Sequence, residues 1–254
     1  WSVQCPVNLW NDAHFFTSRC ESLGRDEVQY NNRDYVLLFR GQNQDYRSKD
    51  GSTLCPQIFR PRNPVRLRKT EVEEKFATLR KAERLLVAKY HTPSFRVKNN
   101  IQRHQVIRWS ILQHYEICAT PLLDVTQSLR VSASFASLQS EGDAYIYVLG
   151  VPAINGAITA SAESGIEIVR LSSACPPEAV RPHIQEGFLL CDYPEITEFI
   201  KGDYPLRDLD FGIRLIAKFR FSPASFFASS REFPKVERAA LYPTVVNDPL
   251  LQTM

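Results

Sequence analysis

Helix-like and strand-like patterns occupy different parts of this 254-residue chain. From Thr70, with Glu73 completing a helix-capping box, apolar residues recur at helical spacing as far as Tyr90, and residues 102–115 and 128–138 predict two more helices. Apolar runs predict strands mainly later in the chain, at residues 144–151, 166–171, 187–191 and 213–221. This order favours an α+β fold over a regular alternation of strands and helices. We therefore predict one α+β domain with a central mixed or antiparallel sheet, its helices concentrated in the N-terminal half.

One strand is predicted early, where the apolar run Tyr35-Val36-Leu37-Leu38-Phe39 ends at Arg40-Gly41. Such a run is typical of a buried strand that stops at a turn residue. Residues 41–70 are polar and contain three prolines, which predicts a long loop. The first ~25 residues show a helical or irregular pattern. We assign residues 1–34 to an N-terminal extension that packs on the domain of residues 35–254.

Composition narrows the class of protein. Basic and acidic residues are nearly balanced, and the net charge of +3 is too small to indicate nucleic acid or an anionic membrane as an obligatory partner. No segment approaches the roughly 18 consecutive apolar residues of a membrane span. The start has neither an initiator Met nor a signal-peptide pattern, so we expect a piece of a longer or processed cytoplasmic chain. Six cysteines without a CxxC pair are expected to be reduced, structural thiols.

The sequence lacks the motifs of several common active sites. It contains no GxGxxG, P-loop, GxSxG or HExxH motif, and its five histidines do not pair at zinc-like spacing. We therefore predict no metal site. The basic stretch from Arg60 to Lys69 could engage phosphates, but a solvated loop before a helix is the favoured interpretation, and nucleic-acid binding is not expected.

Three short segments stand out in combination: residues 39–42 (FRGQ), residues 112–136 (with LQHY, LLDVT and FA), and residues 181–188 (RPHIQEGF). An arginine at the end of an apolar strand can direct its planar guanidinium toward a phosphate or a carboxylate. The glycine after it permits close approach of a ligand or of another part of the backbone. The same arginine could instead hold a loop carbonyl or a carboxylate such as that of Asp124.

In this order the segments resemble the FRG domain family, which is named for its (F/Y)RG motif. The likeness spans about residues 35 to 250 and includes Leu241-Tyr242-Pro243 near the end. It departs from the family at Pro121 and Val125, where the family has the Arg and Trp of TRLLDWT, and at Glu116, where glycine is common. The resemblance implies a fold and a pocket more than a reaction.

A more distant similarity to ADP-ribosyltransferases implies NAD as a substrate. In that similarity Arg40 would hold the pyrophosphate or ribose, and Thr126 would hydrogen-bond near the nicotinamide. Gln185 takes the position of the reacting carboxylate but carries no charge, whereas Glu186 would point to the opposite face of a strand. The implied dinucleotide-binding residues are Arg40, Gly41, Gln42, His114, Tyr115, Asp124, Thr126 and Phe135, and the implied catalytic residues are Glu186 and Gln185.

Two functions follow as expectations. The first is an ADP-ribosyltransferase-like enzyme that uses NAD, in a toxin or defence setting. The second is a non-catalytic FRG-type module that binds a nucleotide or a protein partner. Three residues also have simpler explanations: His114 as a buried histidine with satisfied hydrogen bonds, Glu186 as a solvated strand residue, and Phe135 as core.

Overall fold

The computed structural model describes residues 2–4, 20–23, 27–30, 35–48, 51–62, 68–90, 95–175, 179–196, 211–228, 233–244, 246–248 and 250–251. Within these ranges the strands are β1 (Ser2–Gln4), β2 (Cys20–Leu23), β3 (Glu27–Tyr30), β4 (Tyr35–Gln42), β5 (Arg47–Ser48), β6 (Gly51–Ser52), β7 (Leu123–Thr126), β8 (Ala144–Pro152), β9 (Ile158–Ser161), β10 (Ile166–Arg170), β11 (Gly187–Asp192) and β12 (Leu215–Phe221). The helices are α1 (Lys69–Lys89), α2 (Phe95–Arg103), α3 (Gln105–His114), α4 (Leu129–Ala136), α5 (Leu171–Ala174), α6 (Val180–Ile184), α7 (Pro223–Ala228) and α8 (Arg238–Leu241).

A central antiparallel sheet organises the fold. In the described part of the chain it has eight strands in the order β1-β12-β8-β4-β7-β11-β10-β9. Strand β4 runs antiparallel to β8 over its whole length, from Tyr35 opposite Pro152 to Gln42 opposite Tyr145. Strands β2 and β3 form a separate pair, as do β5 and β6. The predicted α+β fold with one central sheet is confirmed.

The sheet has apolar cores on both faces. Leu189 and Leu190 are neighbours on β11, and successive strand residues point to opposite faces. Leu189 packs in a cluster with Phe76 and Trp109 of the helices, whereas Leu190 packs in a second cluster with Tyr147. Burial on both faces explains why β11 and β8 are nearly continuous apolar runs instead of alternating patterns.

The helices differ from the predictions in three ways. Helix α1 begins at Lys69 after Arg68, and no side chain caps it, so the predicted capping box at Thr70 is wrong. The helix expected over residues 102–115 is α3, which begins only at Gln105, because residues 102 and 103 belong to the preceding helix α2. The helices are not clearly concentrated in the N-terminal half, because α5 to α8 follow residue 170, although each of these four is short.

The predicted helix over residues 128–138 is confirmed as α4. Its N-cap is Ser128, whose hydroxyl accepts a hydrogen bond from the backbone N–H of Val131 at 3.4 Å. This bond satisfies one of the backbone donors that a helix start leaves free. The cap fixes the direction of α4, which packs across the end of β4.

The N-terminal extension and the long loop are more strand-like than predicted. Residues 2–4 form β1, which pairs with β12, and residues 20–23 and 27–30 form a hairpin. The predicted extension covers residues 1–34, and its residues other than 2–4, 20–23 and 27–30 lie outside the described part of the chain. The predicted loop over residues 41–70 contains β5, β6 and a short 3-10 helix, Gln57–Phe59.

Two further observations concern the described residues alone. No helix among them is both long enough and apolar enough to cross a membrane. Cys55, Cys118, Cys175 and Cys191 are free thiols, and burial raises the pKa of Cys118 to about 11. A buried thiol with a raised pKa is a poor nucleophile, which agrees with a structural role.

Candidate functional site

The three sequence segments converge on one cleft of about 740 Å³. Its walls come from the end of β4, the C-terminal turn of α3, strand β7, helix α4, the turn between α6 and β11, and the α8 segment. The predicted site residues that line the cleft are Arg40, Gly41, Gln42, His114, Asp124, Thr126, Phe135 and Gln185. Tyr115 and Glu186 are not among the lining residues.

Gly41 lets α4 reach the end of β4. A Cβ atom at this position would lie 1.9 Å from the main-chain oxygen of Ser132 and 2.9 Å from the nitrogen of Ala136. Both atoms belong to the backbone, so neither can rotate away. The glycine therefore brings α4, with Ser132 and Phe135 in the cleft wall, close to the strand that carries Arg40.

The guanidinium group of Arg40 is largely shielded from water. Burial, and to a smaller degree the nearby charge of Arg60, lowers its pKa to about 10, while Asp124 acts in the opposite direction. Its Nη1 donates a hydrogen bond to the main-chain oxygen of Asp124. Its Nε is buried and has no hydrogen-bond partner among the described residues. The guanidinium is still charged at neutral pH and retains donor capacity.

Asp124 is held in place by a relay of side chains. Gln113 donates from Nε2 to Oδ2 of Asp124 at 2.6 Å, and Thr120 donates to Oε1 of Gln113 at 2.8 Å. His114 Nδ1 lies 3.9 Å from Oδ1. Partial burial would by itself raise the pKa of Asp124, but His114, Arg40 and Gln113 together outweigh this effect and keep the pKa below its ordinary value. The cleft therefore contains an ionised carboxylate at neutral pH.

His114 is buried, as the simpler interpretation expected, but it is not fully satisfied. Its Nε2 has no hydrogen-bond partner in the described part of the chain. The ring packs beside Gly187, where an added Cβ would lie 3.5 Å from Cε1 of His114 and 2.9 Å from Cδ1 of Leu171. Gly187 thus leaves room for the imidazole at the floor of the cleft.

A second group of arginines surrounds Tyr242. The guanidinium carbon of Arg181 lies 4.3 Å from the centre of the Tyr242 ring, and that of Arg238 lies 5.9 Å from it. Arg181 also donates to Oε1 of Glu116 at 3.2 Å. The ring of Phe135 meets Tyr242 edge-on at 5.8 Å. This end of the cleft therefore combines positive charge with aromatic surface.

Two of the predicted binding residues make side-chain hydrogen bonds within the fold. The hydroxyl of Tyr115 donates to the carboxylate of the buried Asp248, with distances of 3.0 and 2.9 Å to its two oxygens. The hydroxyl of Thr126 donates to the main-chain oxygen of Gln185 at 2.8 Å and accepts from the N–H of Ser128 at 3.0 Å. Thr126 lines the cleft, but these bonds to the backbone occupy its hydroxyl.

The predicted catalytic residues do not lie on a strand. Gln185 caps the end of α6, and its amide donates to the main-chain oxygen of Leu241 at 2.7 Å. Glu186 is an exposed turn residue with a φ of 46°, and β11 begins only at Gly187. The expected strand orientation of Glu186 is therefore wrong, and its carboxylate faces solvent.

Sequence reasoning missed part of the cleft as a candidate site. Arg60, Arg181, Arg238 and Tyr242 line it, and so does Glu116. The sequence associates Arg181 and Tyr242 only with the family resemblance, and it includes Arg60 only in a basic stretch that could engage phosphates. Glu116 has a φ of 58°, in the left-handed region that glycine adopts without strain, which explains why a glycine is common at this position. No group of three His, Cys, Asp or Glu among the described residues could hold a metal ion.

The fold and cleft define an α+β module with an arginine-rich site at the end of its central strands. The family model of the FRG domain matches residues 36–144, so the resemblance drawn from Phe39-Arg40-Gly41 is confirmed over that part of the chain. The match includes the cleft residues of β4, α3, β7 and α4, whereas Arg181, Gln185 and Tyr242 lie beyond it. No curated protein and no solved structure matches the chain.

Proposed function

We propose that the chain is an FRG-type binding module whose cleft takes a nucleotide through its phosphate groups. One observation carries this proposal. Among the described lining residues, the arginines Arg40, Arg60, Arg181 and Arg238 outnumber the carboxylates of Asp124 and Glu116. Guanidinium groups bind phosphate through paired hydrogen bonds and are less strongly hydrated than ammonium groups.

The aromatic residues support a nucleotide over a simple phosphate ion. Phe135 and Tyr242 both line the cleft and form an edge-on pair beside Arg181. A planar base can bury its faces against such rings, while the phosphates remain with the arginines. A site of about 740 Å³ has ample room for a ligand of this size.

A second candidate is NAD-dependent ADP-ribosyl transfer to a protein or other acceptor. It is favoured by the order Arg40, Thr126 and Phe135 along the chain, because all three residues line one cleft. It is weakened by Glu186, which is exposed and outside the cleft lining, and by the neutral Gln185. If NAD is cleaved here, nicotinamide is the leaving group, and Asp124 is the carboxylate that stabilises the oxocarbenium character of the ribose.

One experiment separates the two candidates. The purified protein is incubated with NAD, nicotinamide release is followed, and the melting temperature is measured with and without NAD. A binding module shows a higher melting temperature without release, whereas release that disappears in Arg40→Ala shows an NAD-cleaving enzyme. If neither NAD nor ADP raises the melting temperature, the nucleotide-binding proposal is wrong, and a protein partner becomes the better candidate.

Glu186→Gln tests the predicted catalytic role of Glu186 directly. Because the carboxylate of Glu186 lies on an exposed turn outside the cleft lining, we expect this variant to keep the wild-type response to NAD in both assays. Loss of nicotinamide release with unchanged NAD affinity would restore Glu186 as a catalytic residue.

A further inference from the structure

The carboxylate of Asp124 occupies a distinctive place in the cleft. Neither printed hydrogen bond of the neighbouring arginines reaches this carboxylate: Arg40 donates to the main-chain oxygen of Asp124, and Arg181 donates to Glu116. The side chain of Asp124 remains 41% exposed, in contrast to 3% for that of His114. The cleft therefore contains an anionic group that is accessible and not fully paired.

The carboxylate also has free acceptor capacity in a fixed orientation. Gln113 occupies one acceptor position on Oδ2, and the relay from Thr120 fixes the Gln113 amide. An ionised carboxylate can accept about four hydrogen bonds. The oxygen Oδ1 has His114 Nδ1 at 3.9 Å, beyond hydrogen-bonding distance. Asp124 can thus accept hydrogen bonds from a ligand without moving.

The chemistry of a nucleotide matches this arrangement. Phosphate groups are attracted to the arginines and repelled by a carboxylate. The part of a nucleotide that donates hydrogen bonds next to its phosphates is the ribose, and a carboxylate in a nucleotide site commonly accepts from the ribose hydroxyls. A carboxylate placed among arginines therefore suits the sugar and not the phosphate.

We infer that Asp124 makes the cleft selective for ribonucleotides by accepting hydrogen bonds from the 2′- and 3′-hydroxyls of the ligand. This inference rests on the proposed nucleotide binding and adds to it the class of sugar. Asp124 is a specificity-determining residue here, with Gln113 as the residue that positions its carboxylate.

The test compares ADP with 2′,3′-dideoxy-ADP by isothermal titration calorimetry on the wild-type protein. Since a hydrogen bond to a charged group contributes about 1.5–3 kcal/mol, ADP should bind at least about 10-fold more tightly. Equal affinities would overturn the inference and leave the nucleotide-binding proposal intact. Absence of binding by both nucleotides would overturn both proposals.

A pair of matched variants assigns the selectivity to one residue. Asp124→Asn should reduce the affinity ratio of the two nucleotides to within about 2-fold of unity, because the amide presents fewer acceptors. Asp143→Asn is the control, since Asp143 lies outside the cleft lining and pairs with Arg220 at 3.4 Å. A wild-type ratio in Asp124→Asn would show that another group reads the sugar.

Gln113→Ala provides a second variant that keeps the carboxylate but removes the hydrogen bond that orients it. The ratio should fall in this variant too, by less than in Asp124→Asn. Measuring both nucleotides on each protein makes the ratio independent of the fraction that is folded. An unchanged ratio in Gln113→Ala would contradict the positioning role of Gln113.

Discussion

At the scale of single residues, Gly41 has the most direct structural explanation. It sits where α4 crosses the end of β4, and no side chain can be placed there without displacing backbone atoms of Ser132 and Ala136. The glycine that follows Arg40 in the FRGQ motif is therefore required by packing. Its contribution to the cleft is indirect, through the position of α4.

We predict that Gly41→Ala destabilises the protein by about 3 kcal/mol or more, since a Cβ atom 1.9 Å from the oxygen of Ser132 forces strand and helix apart. Urea denaturation measures the change. Gly142→Ala is the matched control, because a Cβ atom there meets nothing within 4 Å. Equal stabilities of the two variants would show that α4 does not pack against β4 as described.

At the scale of elements, strand β10 carries an unfavourable buried carboxyl group. Burial, together with the charge and hydrogen bonding of Glu195, raises the pKa of Glu167 to about 7. Its Oε2 has no hydrogen-bond partner among the described residues. Between pH 4.5 and about 7, Glu167 is therefore protonated in the folded protein. In the unfolded chain, where its pKa is near 4.5, the same carboxyl group has already lost its proton.

The sign of the resulting pH dependence follows from this difference. Because Glu167 holds a proton in the folded state between pH 4.5 and about 7, its contribution lowers the free energy of unfolding as the pH rises through that range and changes no further above it. We predict that Glu167→Gln is more stable than the wild type at pH 8, by about 1–3 kcal/mol, and that the advantage vanishes near pH 4. Denaturation curves at several pH values measure it. The exposed Glu141→Gln serves as control, and an identical pH profile for Glu167→Gln and the wild type would contradict the raised pKa.

The success of the sequence predictions depended on the kind of element. Strands β8 and β11 were predicted because burial on both faces makes them long apolar runs. Strands β10 and β12 were predicted because β-branched or aromatic residues recur in them. Strand β7 was missed, since its four residues lie inside the LLDVT motif and give no periodic signal. The strand placement of Glu186 was wrong at an element boundary, because this turn residue directly precedes Gly187, the first residue of β11.

The site was more predictable than its chemistry. Motif order placed Arg40, His114 and Asp124 in one region, and all three line the cleft. The hydrogen bonds of Tyr115 and Thr126 were not predictable, because their partners are a distant carboxylate in one case and main-chain oxygens in the other. Such contacts depend on tertiary structure and leave no mark on local sequence.

At the scale of the whole molecule, the matched FRG segment of residues 36–144 is only part of the folded unit. Strand β7 pairs with β11, and β8 pairs with β12, both of which lie after the segment. The cleft likewise needs Arg181 and Tyr242 from later in the chain. Sheet, cores and cleft are thus completed by the C-terminal part.

We predict that a fragment of residues 35–152 does not fold, although it contains β4, β7, β8 and α1 to α4. It would expose the edges of β7 and β8 and lose the partners of both apolar clusters on β10 and β11. Thermal unfolding followed by circular dichroism should show no cooperative transition, in contrast to the full chain. A sharp transition in the fragment would show that the later strands are dispensable.

The central claim is that the arginine-rich cleft binds a nucleotide through its phosphates. The most direct measurement is the ADP affinity of the wild type, Arg40→Ala and Arg84→Ala by isothermal titration calorimetry, the last variant removing an exposed arginine outside the cleft lining. We predict that Arg40→Ala weakens ADP binding at least about 10-fold, while Arg84→Ala stays within about 2-fold of the wild type. Equal affinities in all three proteins, or no binding by the wild type, would contradict the claim.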